Sequence, residues 1–312
     1  MADRSTPAVI GSSLSPADEA LFGPYRRAVL TELGPDFRLG FKLAYFANFA
    51  SPAIAGPLDA SAEIMREPMR RAKDTSIVVY EIIANGFESA RGSRMTELLR
   101  RVHRDVPGSA DDFRYVLLAL LVIPIRTVDR SGARRTTAAE RAAATRFYDR
   151  LGTAMGLDDI PGTYAEAAAF CRRYERANAR RSEAGDRLMA STLAALLGSV
   201  PQSLRPVAGG VARFVVSALF GDRTLALALG LPVVPTPVAR LVAAVRRAGR
   251  RRGAGREARV EFTSGERSRV YPAGYVLDDI GPAAGRHRSV PGAMPPPSGD
   301  PTTWTCPGPV ED

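Results

Sequence analysis

Histidine is scarce in this chain: of 312 residues only His103 and His287 carry an imidazole. His103 stands in MTELLRRVHRDVPGS (95–109), where Met95, Leu98, Leu99, Val102 and His103 fall at i, i+3, i+4, i+7 and i+8 and so share one helix face. Arg100, Arg101 and Arg104 point elsewhere, and Asp105, Val106, Pro107 and Gly108 end the helix. An imidazole turned inward among leucines must pair at both ring nitrogens or leave a polar atom unsatisfied, at a cost of roughly 1–3 kcal/mol. Either a hydrogen-bond partner or a metal meets that need. A lone histidine makes no zinc site without three further ligands, whereas a single axial histidine is enough to hold a haem iron. His103 therefore has two readings, a structural core histidine or an axial haem ligand.

A second group lies on the stretch from Glu67 to Gly86. Arg71 and Thr75 stand four apart, hence on one helix face, and Val78, Val79 and Ile82 continue that face. Such a pair is either a solvated helix end packed by its aliphatic stem or a small polar station facing a ligand. Lys73 and Asp74 flank it and read as surface charges. Cys171 is followed by Arg172 and Arg173, and cations lower a thiol pKa. With no second histidine nearby to act as base, it reads as a buried cysteine in helix 164–179.

The elements that must position these residues are helices almost throughout. Helical signals begin at Ser15-Pro16-Ala17-Asp18, and the aromatic run FRLGFKLAYFANFA (37–50) is broken by Ser51-Pro52 and again by Gly56-Pro57. Pro68 suits the first turn of the helix that carries Arg71, and Asn85-Gly86 ends it. Ser109-x-x-Asp112 precedes a buried helix over 112–126 containing YVLLALLVIPI, while Thr137-x-x-Glu140 and Thr163-x-x-Glu166 are capping boxes. Further helices are expected at 183–197, 207–219 and 236–248, with one short extended piece near Arg259–Phe262. The expected fold is all-α, a single multi-helix domain with an extended C-terminal arm. Its parts are a flexible leader (1–15), the helical body (16–249), an arginine-rich linker with a docking arm (250–282) and a disordered Pro/Gly-rich tail (283–312).

Composition narrows the function classes. Hydrophobic residues make up 45% and charged residues 24%, a globular balance. Cys171 and Cys306 cannot form a disulfide framework or a cysteine-based metal site, so a reducing compartment is the default. No signal-peptide h-region stands at the start, and no uninterrupted apolar run approaches the ~18 residues of a membrane span. A cytoplasmic protein is expected, with membrane association as an option.

Taken together, these segments resemble the family of MpaB-type oxygenases and latex-clearing rubber oxygenases, especially its soluble bacterial branch. The matching pieces are YFANFASPAIAGPLD (45–59), RRAKDT (70–75), NGFESARGS (85–93), RRVHRDVP (100–107), YVLLALLVIPIRTVDRSG (115–132), MGLDDIPGTY (155–164), LGLPVVP (229–235) and YPAGYVLDDIG (271–281). They occur in the family's order and cover roughly residues 37 to 282.

The resemblance implies an all-helical body around a pocket for haem b, with His103 as the axial iron ligand. Arg71 and Thr75 match the family's R-x-x-x-T pattern on the distal side, with Asp74 beside them as a proton acceptor. Arg126 or Arg130 would pair with a haem propionate. The partners implied are dioxygen and a lipophilic small-molecule substrate. Two departures stand out. Rubber-cleaving members carry a lysine directly before the threonine, where this chain has Asp74, and the glutamate they place earlier has no match near Ala53–Gly56.

Two other functions compete. Arg246, Arg247, Arg250, Arg251, Arg252, Arg256 and Arg259 could neutralise nucleic-acid phosphates, since the formal net charge is +10. Against this, the cluster has no interleaved aromatic residues and follows no recognition helix, so no nucleic acid is expected. A peripheral membrane or scaffold role would use region 207–248, whose apolar helices adjoin that arginine tract and could meet anionic headgroups. Arg213, Asp222 and Arg223 interrupt it and argue against spanning.

Overall fold

A computed structural model describes residues 14–61, 67–253 and 262–281. In order these form α1 (Pro16–Arg27), α2 (Gly34–Ala47), α3 (Pro52–Ala60), α4 (Pro68–Asn85), α5 (Ala90–His103) and α6 (Ala110–Ser131). There follow α7 (Ala138–Ala154), α8 (Tyr164–Asn178), α9 (Glu183–Leu196), α10 (Arg205–Phe220), α11 (Arg223–Ala228) and α12 (Thr236–Gly253). No strand occurs among the described residues. The all-α expectation holds. The extended piece near Arg259–Phe262 falls outside them except for Phe262, as do residues 1–13 of the leader, the tail from 283, His287, Trp304 and Cys306.

Helix starts follow the side chains that cap them. Thr137 with Glu140 and Thr163 with Glu166 make the expected reciprocal boxes, and Ser109 with Asp112 makes a third, because an aspartate can also reach back to the cap N–H. At the other end of α4, Gly86 takes φ 82°, a conformation that costs glycine no Cβ clash.

Three helices differ in extent from the sequence reading. Gly56-Pro57 does not break α3, which runs through Pro57 to Ala60. The helix expected at 112–126 continues through Pro124 to Ser131. Here α2 crosses α6 at Gly40, where a Cβ would lie 2.3 Å from Pro124 Cα; the bare glycine lets the two backbones meet at the proline. Around this contact Leu43, Phe37, Leu121, Val122 and Ile125 are buried. Finally, α12 passes the expected end at 248 and absorbs the start of the supposed linker. Arg246 and Arg250, one turn apart, both reach the fully buried carboxylate of Asp36 at 2.7 and 3.1 Å, and Arg247 and Arg251 donate to backbone carbonyls near the end of α6. Those four arginines thus face the body, which leaves little of the cluster for phosphates.

Residues 262–281 lie along α4. Phe262 stacks on Tyr80 at 5.1 Å, the Tyr271 hydroxyl donates to Asp74, and the Tyr275 hydroxyl donates to Glu81 at 2.5 Å. Asp74 and Glu81 are seven apart, so one buried stripe of α4 carries both carboxylates. Glu81, wholly buried, also takes a two-pronged bond from Arg91 at 2.7 and 2.8 Å, which ties α5 to α4.

Candidate functional site

The stripe predicted on α5 is present: Met95 and Leu98 are buried, while Leu99, Val102 and His103 are half-buried. His103 is the last residue of that helix, with the Phe113 ring edge-on at 6.1 Å. Its Nδ1 lies 2.7 Å from the carbonyl oxygen of Leu99. A carbonyl only accepts, so Nδ1 carries the proton, and in the neutral ring Nε2 is left with a lone pair. Burial, the largest effect, pulls the imidazole below its ordinary pKa of 6.5; the Leu99 bond opposes this and the Arg71 charge assists it. The ring is accordingly neutral at pH 7.

Arg71 links two side chains electrostatically. Its charge acts on His103 and also on Tyr45, whose hydroxyl burial pushes up to about 12 against the pull of that charge. The Tyr45 hydroxyl and the Asn48 Oδ1 are buried without a hydrogen-bond partner. They stand one turn apart at the end of α2. A buried polar atom left unpaired is uncommon and marks a place where a ligand, ion or water belongs. Thr75, one turn along from Arg71, donates its hydroxyl to the Arg71 carbonyl at 3.0 Å, so that proton is held within α4.

Other candidates from the sequence are placed elsewhere. Asp74 is buried, but its two oxygens are taken by Tyr271 and by the Gly281 N–H. Burial raises its pKa, while those two bonds and then Arg70 and Arg71 pull the other way. Lys73 pairs with Glu266 at 3.4 Å. Arg126 and Arg130 sit ~20 and ~26 Å along α6 from Phe113, at 1.5 Å per residue. There they line a cleft of about 240 Å³ with Arg172, Asp222, Leu43 and Phe220, and they donate to the carbonyls of Ala168 and Phe220. Cys171 is fully buried, and desolvation drives its thiol far above the ordinary value, so it offers no thiolate.

Among the described residues no three or more His, Cys, Asp or Glu side chains converge as a metal-binding group. His103 therefore offers an ion one donor and not a cage. Sequence reasoning missed Tyr45, Asn48 and the Leu99 carbonyl. The available signal was a tyrosine and an asparagine three apart in the otherwise apolar run YFANFA.

A family model described as "ER-bound oxygenase mpaB/B'/Rubber oxygenase, catalytic domain" matches residues 16–251. The matched span runs from the first residue of α1 into the last turn of α12 and includes Tyr45, Asn48, Arg71, Thr75 and His103. No curated protein matches the chain.

Proposed function

The chain belongs to the MpaB/rubber oxygenase catalytic-domain family, a family of oxygenase enzymes, and from that premise we propose that it holds haem b on His103 and uses dioxygen on a lipophilic organic substrate. The observation that carries this reading is the 2.7 Å bond from His103 Nδ1 to the Leu99 carbonyl. A tethered Nδ1–H fixes the ring angle and tautomer and leaves the Nε2 lone pair for an iron, the usual outer bond of a metal-ligating histidine. Burial adds to this by keeping the ring unprotonated. The unpaired Tyr45 hydroxyl and Asn48 oxygen, near the same Arg71 charge in the case of Tyr45, fit a group that brings polar atoms into an apolar enclosure.

Bound at His103, the haem would supply the activation of dioxygen. The chain's own residues would do the rest. Arg71 carries a charge that reaches His103, and Thr75 braces the turn that carries it by donating to the Arg71 carbonyl. In this reading Arg71 and Thr75 would be the polar residues that meet bound dioxygen, Arg71 as the hydrogen-bond donor. The Phe113 ring, edge-on to the imidazole, would shield it from water on one side. Asp74 anchors the arm and takes no part at the ring, and Arg126 and Arg130 serve the cleft at the other end of α6.

The test is the absorption spectrum of the protein purified after expression with ample iron, beside His103→Ala. The wild type should show a Soret band and the variant should lose it. Equal haem loading in both, or no band in the wild type, would mean that the histidine only closes the helix end. Arg71→Ala should retain haem with slowed oxygen chemistry.

A further inference from the structure

The pair α10 and α12 carries an apolar surface that no described residue covers. On α10 and the turn before it, Leu204, Val207, Val211, Phe214 and Val215 recur at helical spacing and are all exposed, Val207 by 70%. On α12, Val238, Leu241 and Val245 do the same, with Leu241 62% and Val245 65% exposed. The sides turned away from these stripes are the packed ones: Ser217 and Phe220 on α10, Ala239 and Ala243 on α12, while buried Ala218 closes the α10 stripe at its C-terminal end. The two helices pack against one another, so their bare faces adjoin. Scattered exposed valines need no explanation, but a contiguous patch of this kind marks an interaction surface.

Charge says what the surface meets. From Arg205 to Gly253 the chain has nine arginines and a single acid, Asp222, which accounts for eight of its ten net positive charges. Arg246 and Arg250 are neutralised by Asp36, but Arg240 and Arg252 are exposed and have no acidic partner among the described residues. Arg252 lies in register with the Leu241–Val245 stripe at its C-terminal end, and Arg240 stands on its flank. An aliphatic face edged by unpaired guanidiniums is complementary to a bilayer with anionic headgroups.

We infer that the α10–α12 face docks flat on an anionic lipid bilayer, with Val207, Val211, Leu241 and Val245 at the acyl boundary and Arg240 and Arg252 at the headgroup phosphates. By length and composition Gln202–Phe220 is long and apolar enough to cross a membrane, with mean hydropathy 1.2. Its inner side, however, is packed on α12 and α9, and Arg213 donates to the Gly230 carbonyl, so the helix is tied sideways to the body. A surface of valine and leucine between two free cations is poorly matched to nucleic acid, which needs a track of cations and stacking rings. This inference does not depend on haem binding.

The full chain should be sedimented with vesicles of phosphatidylcholine alone and of phosphatidylcholine with phosphatidylglycerol. Wild type should partition onto the anionic vesicles. Val207→Glu with Val211→Glu should lower that partition by about 100-fold, at roughly tenfold for each valine no longer buried. Arg240→Gln with Arg252→Gln should lower it by about 30-fold on anionic vesicles and leave neutral ones little changed. Far-UV circular dichroism checks that each variant folds, and the arginine pair keeps the test valid if the glutamates disturb packing. Equal partition of wild type and the valine variant, or a wild type that ignores both vesicles, would overturn the inference. So would a lipid-free dimer that the valine variant dissociates, or stronger retention on a single-stranded oligonucleotide than on vesicles.

Discussion

Glu175→Gln should make the protein more stable at pH 8 and leave it nearly unchanged at pH 4.5. Glu175 lies on α8 with 3% of its surface exposed, and its carboxylate has one modest bond, from the Tyr115 hydroxyl at 3.4 Å. Burial pushes its pKa up from 4.5 to about 7; Arg126, Tyr115 and Arg172 resist that rise and Asp222 adds to it. Between those two values the folded chain holds a proton that the unfolded chain has released. Stability therefore falls as pH rises through this window and levels off above it. Moving ionisation from 4.5 to about 7 corresponds to about 3 kcal/mol. Glutamine keeps the shape and an oxygen for Tyr115 but never ionises, so it escapes the penalty. The advantage should appear as a Tm about 6 °C higher at pH 8, at ~2 °C per kcal/mol for a chain of this size. Thermal melts of both proteins in matched buffers from pH 4.5 to 8.5 isolate the effect as their difference. A difference that does not vary with pH, or a glutamine variant less stable at pH 8, would show that attraction to Arg126 outweighs desolvation.

Tyr271→Phe and Tyr275→Phe should each cost about 2 kcal/mol by removing a hydrogen bond to a buried carboxylate, and should speed tryptic cleavage at Arg267 and Arg269. An unchanged cleavage rate would mean that ring packing alone holds the arm. Asp36→Ala should cost about 3 kcal/mol, since Arg246 and Arg250 lose their shared carboxylate; hydrogen exchange should rise first in α12. Because the folded pKa of His103 lies below 6.5, its contribution to stability is complete above 6.5 and is lost as pH falls through the lower value. Haem titrations should accordingly show affinity falling with pH on the acid side of 6.5, and no such fall would argue against Nε2 as the ligand.

Much of the fold is written in local pattern. Helix caps act across three residues and apolar faces across four, so Ser15, Thr137, Thr163, Pro68 and Gly86 mark helix ends without reference to the rest of the chain. The same locality put His103 on the stripe with Met95 and Leu98, and Arg71 with Thr75. Lengths were harder to read. The arginines after Gly249 look like a linker until Asp36 is brought against Arg250 from α2, 214 residues away in the chain.

From sequence alone came an all-helical chain with one inward imidazole at a helix end and an arginine and a threonine on another helix. Only tertiary structure decided which groups meet. It gave Asp74 to Tyr271, Glu81 to Arg91 and Tyr275, and Arg246 to Asp36, and it left the outer faces of α10 and α12 bare. The physical reason is that a helix face records which residues turn inward together, whereas the partner of a buried charge is chosen by packing between segments that the sequence holds far apart.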